Sequence, residues 1–142
     1  MEDQVESTED NMRFIKLHAP LREGFTWRGN SHLNLDPYAS AGYNFSTYAY
    51  MRDWDYYYAP FETSVSYRGN NYEDVFTVEE EDIIENIPVT VALAPGAKYK
   101  AVEKYAKNIG LVYREYTLLE YEPNPSGANP YYTVTLWMID HN

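Results

Sequence analysis

The chain has 142 residues, 44% of them hydrophobic and 17% aromatic, which is the size of one domain with enough apolar surface for a single core. Its 22 acidic against 11 basic side chains leave a net charge of −11, which opposes general affinity for nucleic-acid phosphates or anionic lipid headgroups. The absence of cysteine excludes disulfides, thiolate metal sites and thiol catalysis.

No run of 18 apolar residues occurs, so no transmembrane helix is expected. The three imidazoles, His18, His32 and His141, are too far apart in sequence to suggest a metal pair, and no metal or other cofactor is expected. Tyrosine is unusually abundant, with 16 residues against 5 Phe and 3 Trp, and a side chain that is apolar along its body and polar at its tip suits a half-buried pleated surface.

Residues 1–12 open with five acids and no base in the first ten positions, so they are expected to form a disordered acidic tail ahead of one β-rich domain at 13–142. Phe14 to Leu17 and Phe25 to Trp27 read as short strands, with Pro20 and Gly24 between them. Ser31 to Ala41 has loop composition. Tyr43 to Tyr50 alternates with period two and reads as a strand.

Asp53 to Pro60 packs four aromatics into eight residues. A strand with rings on both faces accounts for it, and so does a stacking surface for a glycan or planar ligand. The second reading nominates Trp54, Tyr56, Tyr57 and Tyr58 as ligand-binding residues. Phe61 to Tyr67 and Tyr72 to Val78 alternate on either side of Arg68-Gly69-Asn70-Asn71, which predicts a hairpin. Glu79-Glu80-Glu81-Asp82 lacks the spaced oxygens and sharp Gly turn of a calcium loop and reads as a solvated strand end.

Val89 to Leu93 is expected as a short edge strand between Pro88 and Pro95. From Ala97 to Asn108 two patterns compete. Tyr99, Val102, Tyr105, Ala106 and Ile109 fit an amphipathic helix, while Asn108-Ile109-Gly110 is a turn signal that would make the same stretch one arm of a hairpin, with Gly110 at positive φ and Leu111 to Tyr121 as the other arm. Pro123 to Pro130 reads as a loop and Tyr131 to Ile139 as a last, central strand, apolar on both faces near its end.

Three segments resemble a family of cell-envelope lipoproteins of Bacteroides-type bacteria, of uncharacterised function: Pro20-Leu-Arg-Glu-Gly-Phe-Thr-Trp-Arg-Gly-Asn30, Asn71-Tyr-Glu-Asp-Val-Phe-Thr-Val78 and Glu103-Lys-Tyr-Ala-Lys-Asn-Ile-Gly-Leu-Val-Tyr-Arg-Glu115. The resemblance spans about residues 14–142. It implies paired strands around Gly110, location in the cell envelope, and a signal peptide and lipid-bearing cysteine upstream of residue 1. It assigns no catalytic residue.

The fold expected is mainly β or α+β: an antiparallel meander of hairpins, strongly twisted or barrel-like, with at most one helix. The function expected is non-enzymatic binding of a glycan, peptide or envelope partner protein through an aromatic surface, with no nucleic-acid partner. Carriage of an apolar ligand in a curved-sheet cavity is the alternative within that class. A carboxylate-dependent hydrolase is the alternative outside it, because acids are plentiful, although no catalytic motif marks one.

Overall fold

The computed structural model describes residues 3–35, 37, 50–80, 83–88, 90–94, 96–121 and 132–139. The expected strand at Tyr43 to Tyr50 falls almost wholly outside them, as do Val89, Glu81-Asp82, His141 and the Pro123 to Pro130 loop. Ten strands follow in order: β1 Gln4–Glu9, β2 Met12–His18, β3 Thr26–Trp27, β4 Tyr56–Tyr58, β5 Glu62–Tyr67, β6 Asn70–Glu80, β7 Ile83–Glu85, β8 Gly96–Ala106, β9 Gly110–Tyr121 and β10 Tyr132–Trp137. One 3-10 turn, Met51–Asp53, precedes β4, and no α-helix occurs among the described residues.

Strands β1 and β2 form a two-stranded sheet. The other eight run in the order β10-β9-β8-β6-β4-β3, with β5 also beside β6 and β7 beside β8. All pairs are antiparallel, and neither sheet closes on itself.

The hairpins are set by their turns. Asp10 and Asn11 at φ 49° and 61° join β1 to β2, and Arg68 and Gly69 at φ 49° and 89° join β5 to β6. Two successive positive φ values are the mark of the type I′ turn, whose twist matches that of the strands it connects. Between β8 and β9, Asn108 lies at φ 62° and Gly110 at φ 109°. The two arms then pair over their whole length, from Ala106 opposite Gly110 to Gly96 opposite Tyr121.

The stretch that could have been a helix is therefore β8. It is paired on both sides, and Ala97, Tyr99, Ala101, Val102, Glu103 and Ala106 are all buried, some on each face. A strand covered on both faces loses its alternation, and that loss produced the helix-like spacing.

Four other expectations are corrected. Residues 4–9 are not a disordered tail but β1, because their acids find bases on other strands: Glu6 pairs with Arg13, and Glu9 with Arg114 at 2.8 Å and Lys16 at 3.7 Å. Glu80 is not solvated; it is 5% exposed at the end of β6. Among the described residues β10 ends the sheet order rather than sitting centrally, and its two apolar faces reflect exposed Leu136 and Trp137.

The fourth concerns the edge strand, which is β7 and not Val89 to Leu93. Thr90 to Ala94 fold as turns around Asn86, whose side chain accepts from the Thr90 and Val91 amides and donates to the Val91 and Ala94 carbonyls.

The core lies between the two sheets. Phe14 packs with Leu33, Met51, Trp54, Ala97 and Tyr99, and Ile15 packs with Trp27, Tyr56, Tyr58 and Val78. A third cluster of Tyr72, Val75, Ala106 and Val112 sits near the β5–β6 and β8–β9 turns.

A Cβ on Gly110 would meet nothing within 4 Å, so any cost of filling it is backbone strain rather than collision. Gly110→Val is expected to lower stability by roughly 1–3 kcal/mol, read from urea denaturation midpoints. A change under about 0.5 kcal/mol, the level of an ordinary surface substitution, would mean that the β8–β9 turn does not depend on this glycine.

Candidate functional site

The four aromatics singled out in the sequence do not form an open surface. Trp54 is 4% exposed and stacks on Tyr99 at 5.8 Å, while Tyr56 and Tyr58 are each 1% exposed beneath β2. Their hydroxyls serve the fold: Tyr56 donates to Asn30 Oδ1 at 2.8 Å, and Tyr58 accepts from the His18 amide and donates to the His18 carbonyl, both at 3.0 Å. Tyr57, on the opposite face of β4, is half-buried and donates to Glu79 at 2.5 Å. The cluster is core, because the β1–β2 hairpin covers the face that alternation assigns to Tyr56 and Tyr58.

Under the same hairpin lies a buried ionic network. Lys16 of β2 meets Glu103 of β8 at 3.1 Å; Arg114 of β9 meets Glu103 at 2.5 Å and Glu9 of β1 at 2.8 Å; the Tyr105 hydroxyl donates to Glu103 at 2.5 Å. Register puts these groups on one face, since Glu103 lies opposite both Val78 and Arg114, and Tyr56 opposite Glu80.

Burial raises the Glu80 carboxyl above its ordinary value, against the pull of Lys16 and of hydrogen bonding with Tyr56 and Tyr116. Burial would raise Glu103 as well, but Lys16 and Arg114 outweigh it and hold that carboxyl low. Glu9, with the same two cations beside it, is held down to about 2.

Two carboxyls pushed apart in this way are what an acid–base pair requires. Here they are 5% and 3% exposed and engaged with side chains of the fold, so no substrate atom can reach either. An open cleft of about 620 Å³ lies elsewhere, lined by Asp10, Asn11, Arg13, His32 and Asn34 with Met12 and Leu33, and it is too polar for an apolar-ligand cavity. Among the described residues no group of three or more His, Asp or Glu is arranged to hold a metal ion.

The accessible aromatic surface is on the other face of the large sheet. Register aligns Thr77, Lys104, Tyr113 and Trp137 in one row across β6, β8, β9 and β10. The tip of the β5–β6 hairpin bends over that row. Tyr67 stacks on Tyr113 at 4.8 Å and 12°, and the Arg68 guanidinium lies 4.4 Å from the centre of the Trp137 ring. Tyr113 meets Trp137 edge-on at 6.3 Å, and Trp137 remains 36% exposed.

Polar groups flank the rings. Tyr113 donates to Glu115 at 2.7 Å, and its hydroxyl is pushed up to about 12 by partial burial and by that carboxylate. Glu62 pairs with Lys104 and accepts from Thr77 at 2.9 Å.

None of Tyr67, Arg68, Tyr113 or Trp137 had been nominated from the sequence. One local signal was present: Trp137 alternates with Thr133 and Thr135, and a strand face carrying two threonines is a wet face. No protein family, curated protein or solved structure matches the chain.

Two outcomes follow from the buried groups. Trp54→Ala is expected to cost about 3–5 kcal/mol, the scale of aromatic truncation in a core; a loss below about 1 kcal/mol in urea denaturation would return Trp54 to the surface. For Glu80 the sign is set by linkage. Its folded pKa lies above the ordinary 4.5, so wild-type stability falls as pH rises from that value through the folded pKa.

Glu9 and Glu103, shifted the other way, contribute stability that is present above 4.5 and lost as pH falls. Glu80→Gln removes only the first effect. The variant is expected to match wild type near pH 4 and to gain on it progressively as pH rises above that, measured as denaturation midpoints across a pH series. A difference that does not change with pH would place the Glu80 pKa at its ordinary value.

Proposed function

We propose that this chain is a non-enzymatic domain of the cell envelope that binds a glycan, a peptide or a partner protein through an aromatic surface formed by Tyr67, Arg68, Tyr113 and Trp137. The observation that carries this reading is the row that aligns Tyr113 with Trp137 and receives Tyr67 and Arg68 from the β5–β6 tip. An exposed Trp ring beside half-buried Tyr rings, flanked by charged groups, has the composition of a binding hot spot, because the rings supply contact area at low entropic cost. The strands beneath keep the site rigid.

An envelope location is supported by the likeness of Pro20 to Asn30, Asn71 to Val78 and Glu103 to Glu115 to envelope lipoproteins, in which a lipid-bearing cysteine precedes the domain. No helix among the described residues is long and apolar enough to cross a membrane. Hydrolysis by a carboxylate pair is the second reading. It draws on the opposite shifts of Glu80 and Glu103 and is disfavoured by their burial.

The test is a combined glycan and peptide array probed with wild type and with Trp137→Ala. The variant is expected to lose about thirtyfold or more in affinity for whatever wild type binds, the consequence of a hot spot near 2 kcal/mol. Its stability is expected to stay within about 1 kcal/mol of wild type, since the ring is partly exposed at the sheet's end. A ligand bound equally well by both proteins would remove Trp137 from the site.

A further inference from the structure

Arg68 occupies a backbone position that suits its side chain poorly. It is the first central residue of the type I′ turn at φ 49°, where Asn or Gly enters the left-handed region at much lower cost. A residue held in such a region points to a role for its side chain. That side chain lies over Trp137, on the same turn that carries Tyr67 onto Tyr113.

A guanidinium lying over an indole is attracted by the ring and keeps N–H donors at its rim, in a planar fork suited to two neighbouring oxygens. Close by are an acceptor, Glu115, and the paired charges of Glu62 and Lys104.

Resting on the aromatic-surface reading, we propose that Trp137 and Arg68 are the centre of a subsite for a neutral pyranose. The C–H face of the sugar stacks on the exposed part of the indole, Arg68 donates to adjacent ring hydroxyls, and Glu115 accepts from another. A pyranose offers an apolar face bordered by hydroxyls that both donate and accept, and the row offers a ring bordered by donors and carboxylates. An acidic sugar is disfavoured, because Glu62 and Glu115 lie on the same face, Lys104 is already engaged with Glu62, and the chain carries a net charge of −11. A wholly apolar ligand would leave those charged groups desolvated without partners.

The experiment is affinity electrophoresis and calorimetry of the full chain with neutral polysaccharides (a β-glucan, a galactomannan and a xyloglucan) against polygalacturonate and heparin, each at low and high salt. Retention by at least one neutral polysaccharide is expected, changing less than about twofold with salt because no ligand charge is involved.

Trp137→Ala is expected to weaken that retention more than tenfold, and Arg68→Asn about tenfold, while Arg68→Asn leaves the melting temperature equal or higher because Asn accepts the turn conformation. A fall in melting temperature with binding unchanged would make Arg68 a structural residue and overturn its role.

Failure of all three neutral polysaccharides to bind overturns the pyranose assignment, as does retention confined to the anionic polymers and lost at high salt. If a peptide instead binds in a Trp137-dependent way, the sugar class is wrong and the aromatic surface stands. Indifference of every bound ligand to Trp137→Ala removes both.

Discussion

The contact on which the arrangement depends is the buried meeting of Lys16 with Glu103, extended by Arg114 and Glu9. It ties the β1–β2 hairpin to β8 and β9. Backbone pairing does little of this work: Ile15 donates to the Gly29 carbonyl at 2.8 Å, and the hairpin otherwise forms its own sheet. Desolvating four charged groups offsets most of their mutual attraction, so the network adds less to net stability than a list of its distances suggests. Removing Glu103 is a different matter, since it leaves the buried Lys16 ammonium with only its longer contact to Glu9, at a cost of about 3–5 kcal/mol. The network therefore acts as a registration device. The observed placement of the hairpin satisfies Lys16 and Glu9 together, and it buries Phe14 and Ile15 on their own clusters.

Covering one face of the large sheet leaves the other only partly covered: Thr77, Val102 and Ala106 are buried there, while Trp137 stays exposed. On the covered side stand Tyr56, Tyr58, Glu80, Glu103 and Arg114; on the other, register leaves Thr77, Lys104, Tyr113 and Trp137. The β5–β6 hairpin completes the open side, because its tip is held against the end of the sheet. The Tyr72 hydroxyl donates to the Met138 carbonyl at 3.1 Å, and Asn70 reaches the Ile139 carbonyl at 3.4 Å. With the tip fixed, Tyr67 and Arg68 have defined places over rings from two other strands. A turn conformation set by local sequence thus positions a residue at a surface built from remote parts of the chain.

What could be read from the sequence, and what could not, divides along the same line. The two hairpins around Arg68-Gly69 and Asn108-Ile109-Gly110 were legible, since a turn residue at positive φ and alternating arms are local properties. The order of residues 4–9 was not. The only charged side chains in the first ten residues are acids, and their bases lie at Arg13, Lys16 and Arg114, the last of them 105 positions from Glu9. The Asp10-Asn11 turn was a local signal for that hairpin, and the charge imbalance obscured it. The helix pattern in β8 misled for a related reason: periodicity reports which side chains are buried, and a strand buried on both faces carries no period of two.

The aromatic surface was the least legible feature, because its two determinants are both tertiary. Density of rings along the chain favoured Trp54 to Tyr58, yet a dense run of large apolar groups is what a sheet draws into its core once a hairpin is available to cover it. The accessible rings come singly from three strands, one each at positions 67, 113 and 137, and only register brings them together. Their neighbours distinguish them from the buried set. Tyr113 alternates with Glu115 and Thr117, and Trp137 with Thr135 and Thr133, whereas Tyr56 alternates with Trp54 and Tyr58. An aromatic residue whose same-face neighbours are polar belongs to a wet face and keeps its ring available, and this distinction, applied strand by strand before any count of rings, separates the accessible rings from the core.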